Sequence, residues 1–116
     1  MAASGPRRTE TELSEQDREV LHALAQAGSN LAMAHPLRHY LYFADKRAAR
    51  KVGEALRDEG YSVDVRRGAE GKDWLVLAKH TAVPSPELVA RLTARMEALA
   101  TTAHGAYDGW EARVVT

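Results

Sequence analysis

The chain has 116 residues, sixteen basic and sixteen acidic side chains, five histidines and no cysteine. A chain of this size forms one domain with one core; disulfides and thiolate metal sites are excluded, and the cancelled charge argues against broad attraction to nucleic acid or an anionic membrane. No run approaches the roughly 20 apolar residues of a membrane span, and no apolar run follows the N-terminal arginines as in a secretory signal, so the expected compartment is the cytoplasm.

Residues 1–11 are small and polar and are expected to be disordered. Residues 12–36 read as a helix and a linker. Ser14 caps a helix over Glu15 to Ala27, Val20, Leu21 and Leu24 make a narrow apolar stripe, and Gly28 stops it. Pro36 closes the linker, because the residue before a proline is pushed out of helical geometry.

The expected domain spans residues 37–116. It opens on a strand over residues 38–44, which holds Tyr40, Tyr42 and Phe43. Strand alternation turns Leu37, His39, Leu41 and Phe43 one way, and Arg38, Tyr40 and Tyr42 the other. Both faces are bulky, as a central strand requires. Asp45 caps a second helix ending at Gly60, with a basic outer stripe of Lys46, Arg47, Arg50 and Arg57. Tyr61 to Arg67 alternates as a strand, Gly68 to Gly71 turns the chain, and residues 72–79 form the next strand. Ser85-Pro86-Glu87 starts a third helix, which Gly105 is expected to end. Trp110 to Val115 alternates as a last strand, with Asp108-Gly109 as the turn before it.

Leaving the first helix aside, the order is βαββαβ. That is the ferredoxin-like arrangement: α+β, with a four-stranded antiparallel sheet and both later helices on one face. The strand order would be fourth, first, third, second. Tyr40, Tyr42, Leu75 and Leu77 would then share a patch on the uncovered face, and such a patch needs a cover. The candidates are the first helix as a partial lid, a second copy in a homodimer, or another partner; the lid is favoured because its stripe is apolar yet narrow.

The sequence carries no catalytic constellation and implies no cofactor. Of His22, His35, His39, His80 and His104 only His35 and His39 stand four apart, across Pro36, and no metal site is expected. Direct RNA binding is the main alternative, since RNA-recognition modules share this topology and stack bases on first- and third-strand aromatics. Tyr40 or Tyr42 suits the first strand, but the third strand lacks the pattern. A small-ligand sensor of the same topology is a weaker alternative.

The run His39 to Phe43, the alanine-rich helix behind it, Gly60 to Val63, and the tail Gly105 to Glu111 together resemble the regulator of ribonuclease activity B family, the ribonuclease E inhibitor proteins. The family's Tyr-Asp-Gly-Trp motif stands intact at Tyr107, Asp108, Gly109 and Trp110. The resemblance covers roughly residues 28–115. It implies a non-enzymatic cytoplasmic protein with a ferredoxin-like fold that binds a ribonuclease E-like enzyme. The expected contact residues are Tyr40, Tyr42, Leu75 and Leu77 on the sheet and the Tyr107 to Trp110 segment, although turn-plus-anchor is the ordinary structural use of that tetrapeptide.

Overall fold

The computed structural model describes residues 12–116; the disorder expected for residues 1–11 lies outside them. The elements are α1 (Glu15–Gln26), β1 (His35–Phe43), α2 (Lys46–Asp58), β2 (Ser62–Arg67), β3 (Trp74–Ala82), α3 (Pro86–Thr102) and β4 (Ala106–Ala112). Each helix opens on a side-chain cap. Ser14 accepts from the Asp17 amide at 3.1 Å, Asp45 from Arg47 at 3.0 Å, and Ser85 from Leu88 at 3.2 Å. These oxygens satisfy amides that the helix itself leaves unpaired.

The four strands form one antiparallel sheet in the order β2-β3-β1-β4. This is the expected fourth-first-third-second order read from the other edge. β1 begins at His35, inside the expected linker, and so contains Pro36. Pro36 pairs only with Thr81 of β3, since the pairing of β1 with β4 begins at Leu37, so the proline sits at the end of the strand, where such residues are tolerated.

One face of the sheet carries the main core. Leu41, Phe43, Val76 and Ala78 pack against Ala49, Val52 and Leu56 of α2 and Met96 and Ala100 of α3. Gly53 lets α2 lie close on β2, since a Cβ there would stand 2.9 Å from Val65. A second cluster joins Leu37, Val89 and Trp110 to Leu21 and Leu24 of α1.

That second cluster corrects the expected lid. The α1 stripe is buried on the helix side of the sheet, next to α3 and β4, and not over Tyr40 and Tyr42. The open face offered two half-exposed tyrosines; the helix side offered Trp110, Leu37 and Val89, together with a partner for a buried acid, described below.

The last helix also ends differently. Gly60 follows α2 with φ +103°, and the Gly60 and Tyr61 amides return to Arg57 and Leu56 in a Schellman closure. After α3 the same closure runs through His104, at φ +59°, with its amide on Thr101 and the Gly105 amide on Ala100. Gly105 is required for space: a Cβ there would lie 2.3 Å from the Phe43 ring and 2.5 Å from the Tyr42 carbonyl oxygen.

Candidate protein-docking face

Register fixes the expected site. Tyr40 pairs with Leu77 and Tyr42 with Leu75 across the two central strands. Their alternates Leu41, Phe43, Val76 and Ala78 lie in the helix-side core, so all four point to the face that no helix covers.

They are not equally accessible. Tyr40 and Tyr42 are half-buried, but Leu75 is 6% exposed and Leu77 4%. The leucines lie between cross-strand neighbours on both sides: Tyr42 and Arg66 flank Leu75, and Tyr40 and Asp64 flank Leu77. The expected four-residue apolar patch is therefore two tyrosines over a leucine floor. Stem atoms of flanking polar residues cover apolar surface in this way while their tips stay in water.

The tyrosines lean apart. Tyr40 donates its hydroxyl to Oε2 of Glu111 at 2.7 Å. That hydrogen bond, with burial and the nearby carboxylate charge, pushes the phenol above its ordinary range. The Tyr42 ring leans toward the β2–β3 turn, 3.5 Å from where a side chain on Gly68 would begin. Lys79 and Asp64 pair at 3.7 Å on the same face. At the end of the sheet a hollow of about 480 Å³ is lined by Arg38, Lys79, Arg113, Glu111, Ser62 and Thr81, among others. The face is hydrogen-bonded and charged around its aromatics, with the hollow at one end.

The second half of the expected site lies elsewhere. Asp108-Gly109 is not a turn preceding a strand that begins at Trp110. β4 starts at Ala106, and its register against β1 shifts between His39 and Leu41. Gly109, at φ +101°, sits in that β-bulge. In a regular strand Tyr107 and Trp110, three apart, would face opposite ways. The extra residue lets both point to the helix side, where Trp110 pairs with His39 and Tyr107 with Leu41.

Both rings are anchored there. The Trp110 indole N–H donates to Oδ1 of Asp17 at 3.0 Å, with both residues buried. The Tyr107 hydroxyl lies 2.9 Å from Nδ1 of His39. Nε2 of His39 lies 3.1 Å from Nε2 of His80, whose ring is 4.6 Å from that of Tyr61. Burial lowers the His39 imidazole to about 3, with the neighbouring His80 adding to the effect, and burial also lowers His80. Burial raises the Tyr107 phenol first, and the Asp17 charge adds to it. With both imidazoles neutral, a single proton lies between the two Nε2 atoms, completing a chain from Tyr107 through His39 to His80.

The eight expected contact residues are thus divided by the sheet. Tyr40 and Tyr42 meet solvent; Leu75 and Leu77 support them; Tyr107 and Trp110 belong to the opposite face; Asp108 is exposed at the β4 edge, beside Gly109 in the bulge. Placing His39 in the core as a hydrogen-bonded group was legible from alternation. Its pairing with His80, 41 residues away, was not. Among the described residues no group of three or more histidines or acids converges as metal ligands would, and no helix is long and apolar enough to cross a membrane.

A family model described as regulator of ribonuclease activity B matches residues 14–112. A search of the curated proteins returns no match. The matched span runs from the Ser14 cap to the end of β4, so it takes in α1 as well as the sheet and the bulged tetrapeptide. The chain belongs to the regulator of ribonuclease activity B family.

Proposed function

We propose that this chain is a non-catalytic, cytoplasmic regulator with a ferredoxin-like fold. It docks through its open sheet face onto a protein partner, a ribonuclease E-like enzyme, and so alters RNA turnover. The observation that supports this reading is the position of α1. The helix packs beside α3 and leaves Tyr40 and Tyr42 half-exposed on a face ringed by Arg38, Arg66, Lys79, Asp64 and Glu111. Aromatic centres with a charged rim are the usual composition of protein-contact patches.

Direct RNA binding through the same face is less well supported. An RNA-recognition surface stacks bases on aromatics of both central strands. Here β3 offers buried leucines, and Trp74 packs on the helix side between the Lys46 ammonium and the Arg67 guanidinium, 5.0 Å from each.

The test is a binding and RNA-cleavage series with a purified ribonuclease E-like enzyme. Tyr40→Glu/Tyr42→Glu is expected to weaken binding at least tenfold and to release cleavage, with the circular dichroism unchanged. Full binding by a folded double variant overturns the site. No binding by the wild type, at any salt, overturns the partner.

A further inference from the structure

We propose that the groove between α2 and α3, on the opposite side of the molecule from the open sheet face, binds an acidic amphipathic helix of a protein partner. This goes beyond the open-face reading and stands on three other observations.

The first is shape. The groove holds about 580 Å³ and is floored by Ala48, Val52 and Ala55 of α2 and by Leu99 and Ala103 of α3. The α2 residues stand at i, i+4 and i+7, and Leu99 and the α3 cap Ala103 at i and i+4, so each helix lines the groove with one row of side chains. From Ala48 to Ala55 is about 10 Å of helix rise, room for about two turns of a visiting helix. Three of the five floor residues are alanine, which lets a second backbone approach closely.

The second is charge. Arg47 and Lys51 line the same groove, and Lys46 and Arg50 extend the basic rim. Cations sit poorly at a helix N-terminus, where the backbone dipole is positive. α1 and α3 follow the ordinary rule, with Glu15 and Asp17, and Glu87, in their first turns. α2 has no acid in its first turn; the acid at that end is its cap, Asp45, which also lines the groove. Lys46 has a use within the fold, over Trp74. Among the described residues Arg47, Arg50 and Lys51 enter no ion pair. The α2 end is already capped by Asp45, but the four cations outnumber Asp45 and Glu54, the acids of the same rim, so the rim suits carboxylates and the alanine floor suits an apolar stripe. Nucleic acid would match the first but not the second.

The third is strain. α1 and α2 close through glycines at φ +90° and +103°, whereas α3 closes through His104 at φ +59°. A side chain is disfavoured in that conformation. The exposed His104 side chain lines the end of the groove, where it adds a hydrogen-bond donor for an acidic visitor. Strained backbone of this kind gathers at binding sites.

The experiment uses the full chain and a fluorescein-labelled 18-residue peptide, with leucine at i, i+3, i+4 and i+7, glutamate and alanine elsewhere, read by anisotropy at low salt. Saturable binding is expected, at least tenfold weaker with Arg47→Glu/Lys51→Glu; both positions are exposed, so the variant keeps its fold. His104→Gly is expected to melt at a higher temperature and to bind the peptide a few-fold more weakly. Tyr42→Glu is expected to bind the peptide like wild type, which separates this groove from the open face. The proposal is overturned by no binding, by equal binding of a scrambled peptide of the same composition, by loss of binding in Tyr42→Glu, or by single-stranded RNA displacing the peptide through the same cations.

Discussion

The two faces of this one sheet use their aromatics for different purposes. On the helix side, Trp110 is buried and Tyr107 half-buried against the core, and each has a polar partner supplied from a distant part of the chain. On the open side, Tyr40 and Tyr42 rest on Leu75 and Leu77 and keep one surface in water. Side-chain parity along the strand, with one bulge to reset it, decides which role an aromatic takes. The Tyr107 to Trp110 tetrapeptide therefore packs as part of the fold, and the less conspicuous tyrosines of β1 are the ones on the uncovered face.

The division makes changes on the helix side expensive in stability. Trp110→Ala removes a buried indole and leaves the buried Asp17 carboxylate without its donor. Chemical denaturation is expected to register a loss of about 3–5 kcal/mol. A loss below 1 kcal/mol would move the tetrapeptide from the fold to the surface.

Gly105→Ala tests the tightest glycine site among the described residues. The new methyl meets the Phe43 ring and the Tyr42 carbonyl, and backbone cannot yield as a flexible side-chain end does. About 3 kcal/mol is expected, at the upper end of overpacking costs. His104→Ala, one residue earlier, is expected to change stability far less, which separates the need for space from the need for a helix stop.

Acid titration sharpens the comparison further. The His39 imidazole is held near 3 in the fold and titrates at 6.5 when unfolded. The unfolded chain therefore binds a proton that the folded chain refuses, and stability falls as the pH drops below 6.5. Between pH 6.5 and 4.5 this site alone costs on the order of 2–3 kcal/mol. His39→Leu is expected to flatten that part of the stability curve, although it loses stability at neutral pH because the Tyr107 hydroxyl loses its partner. An unchanged slope would mean that other groups carry the acid sensitivity.

The smallest effect is expected on the open side. Tyr40→Phe removes only the hydroxyl that donates to the exposed Glu111 and should shift the unfolding free energy by less than about 0.5 kcal/mol. A larger loss would make the open face part of the fold.

Much of this was legible in the sequence. Alternation in β1, β2 and β3, the Ser14, Asp45 and Ser85 caps, and the βαββαβ order are local signals, and they led to the correct sheet order and the correct face for Tyr40 and Tyr42. The misplaced features share a physical cause: they depend on what lies across the fold. The bulge at Gly109 hides the true start of β4, because simple alternation begins only after it. Asp17 reads as a first-turn helix acid, and nothing local connects it with an indole 93 residues away. That bond, with Leu21 and Leu24, draws α1 to the helix side; an apolar stripe alone suits either face. Leu75 and Leu77 read as exposed because strand pattern says nothing of the height of neighbouring side chains.

The most direct test of the open face is hydroxyl-radical footprinting of the four tyrosines with and without a ribonuclease E-like enzyme. Tyr40 and Tyr42 are expected to lose reactivity in the complex while Tyr61 and Tyr107 stay unchanged. Unaltered reactivity of Tyr40 and Tyr42 in a complex that still restrains RNA cleavage would place the docking surface elsewhere.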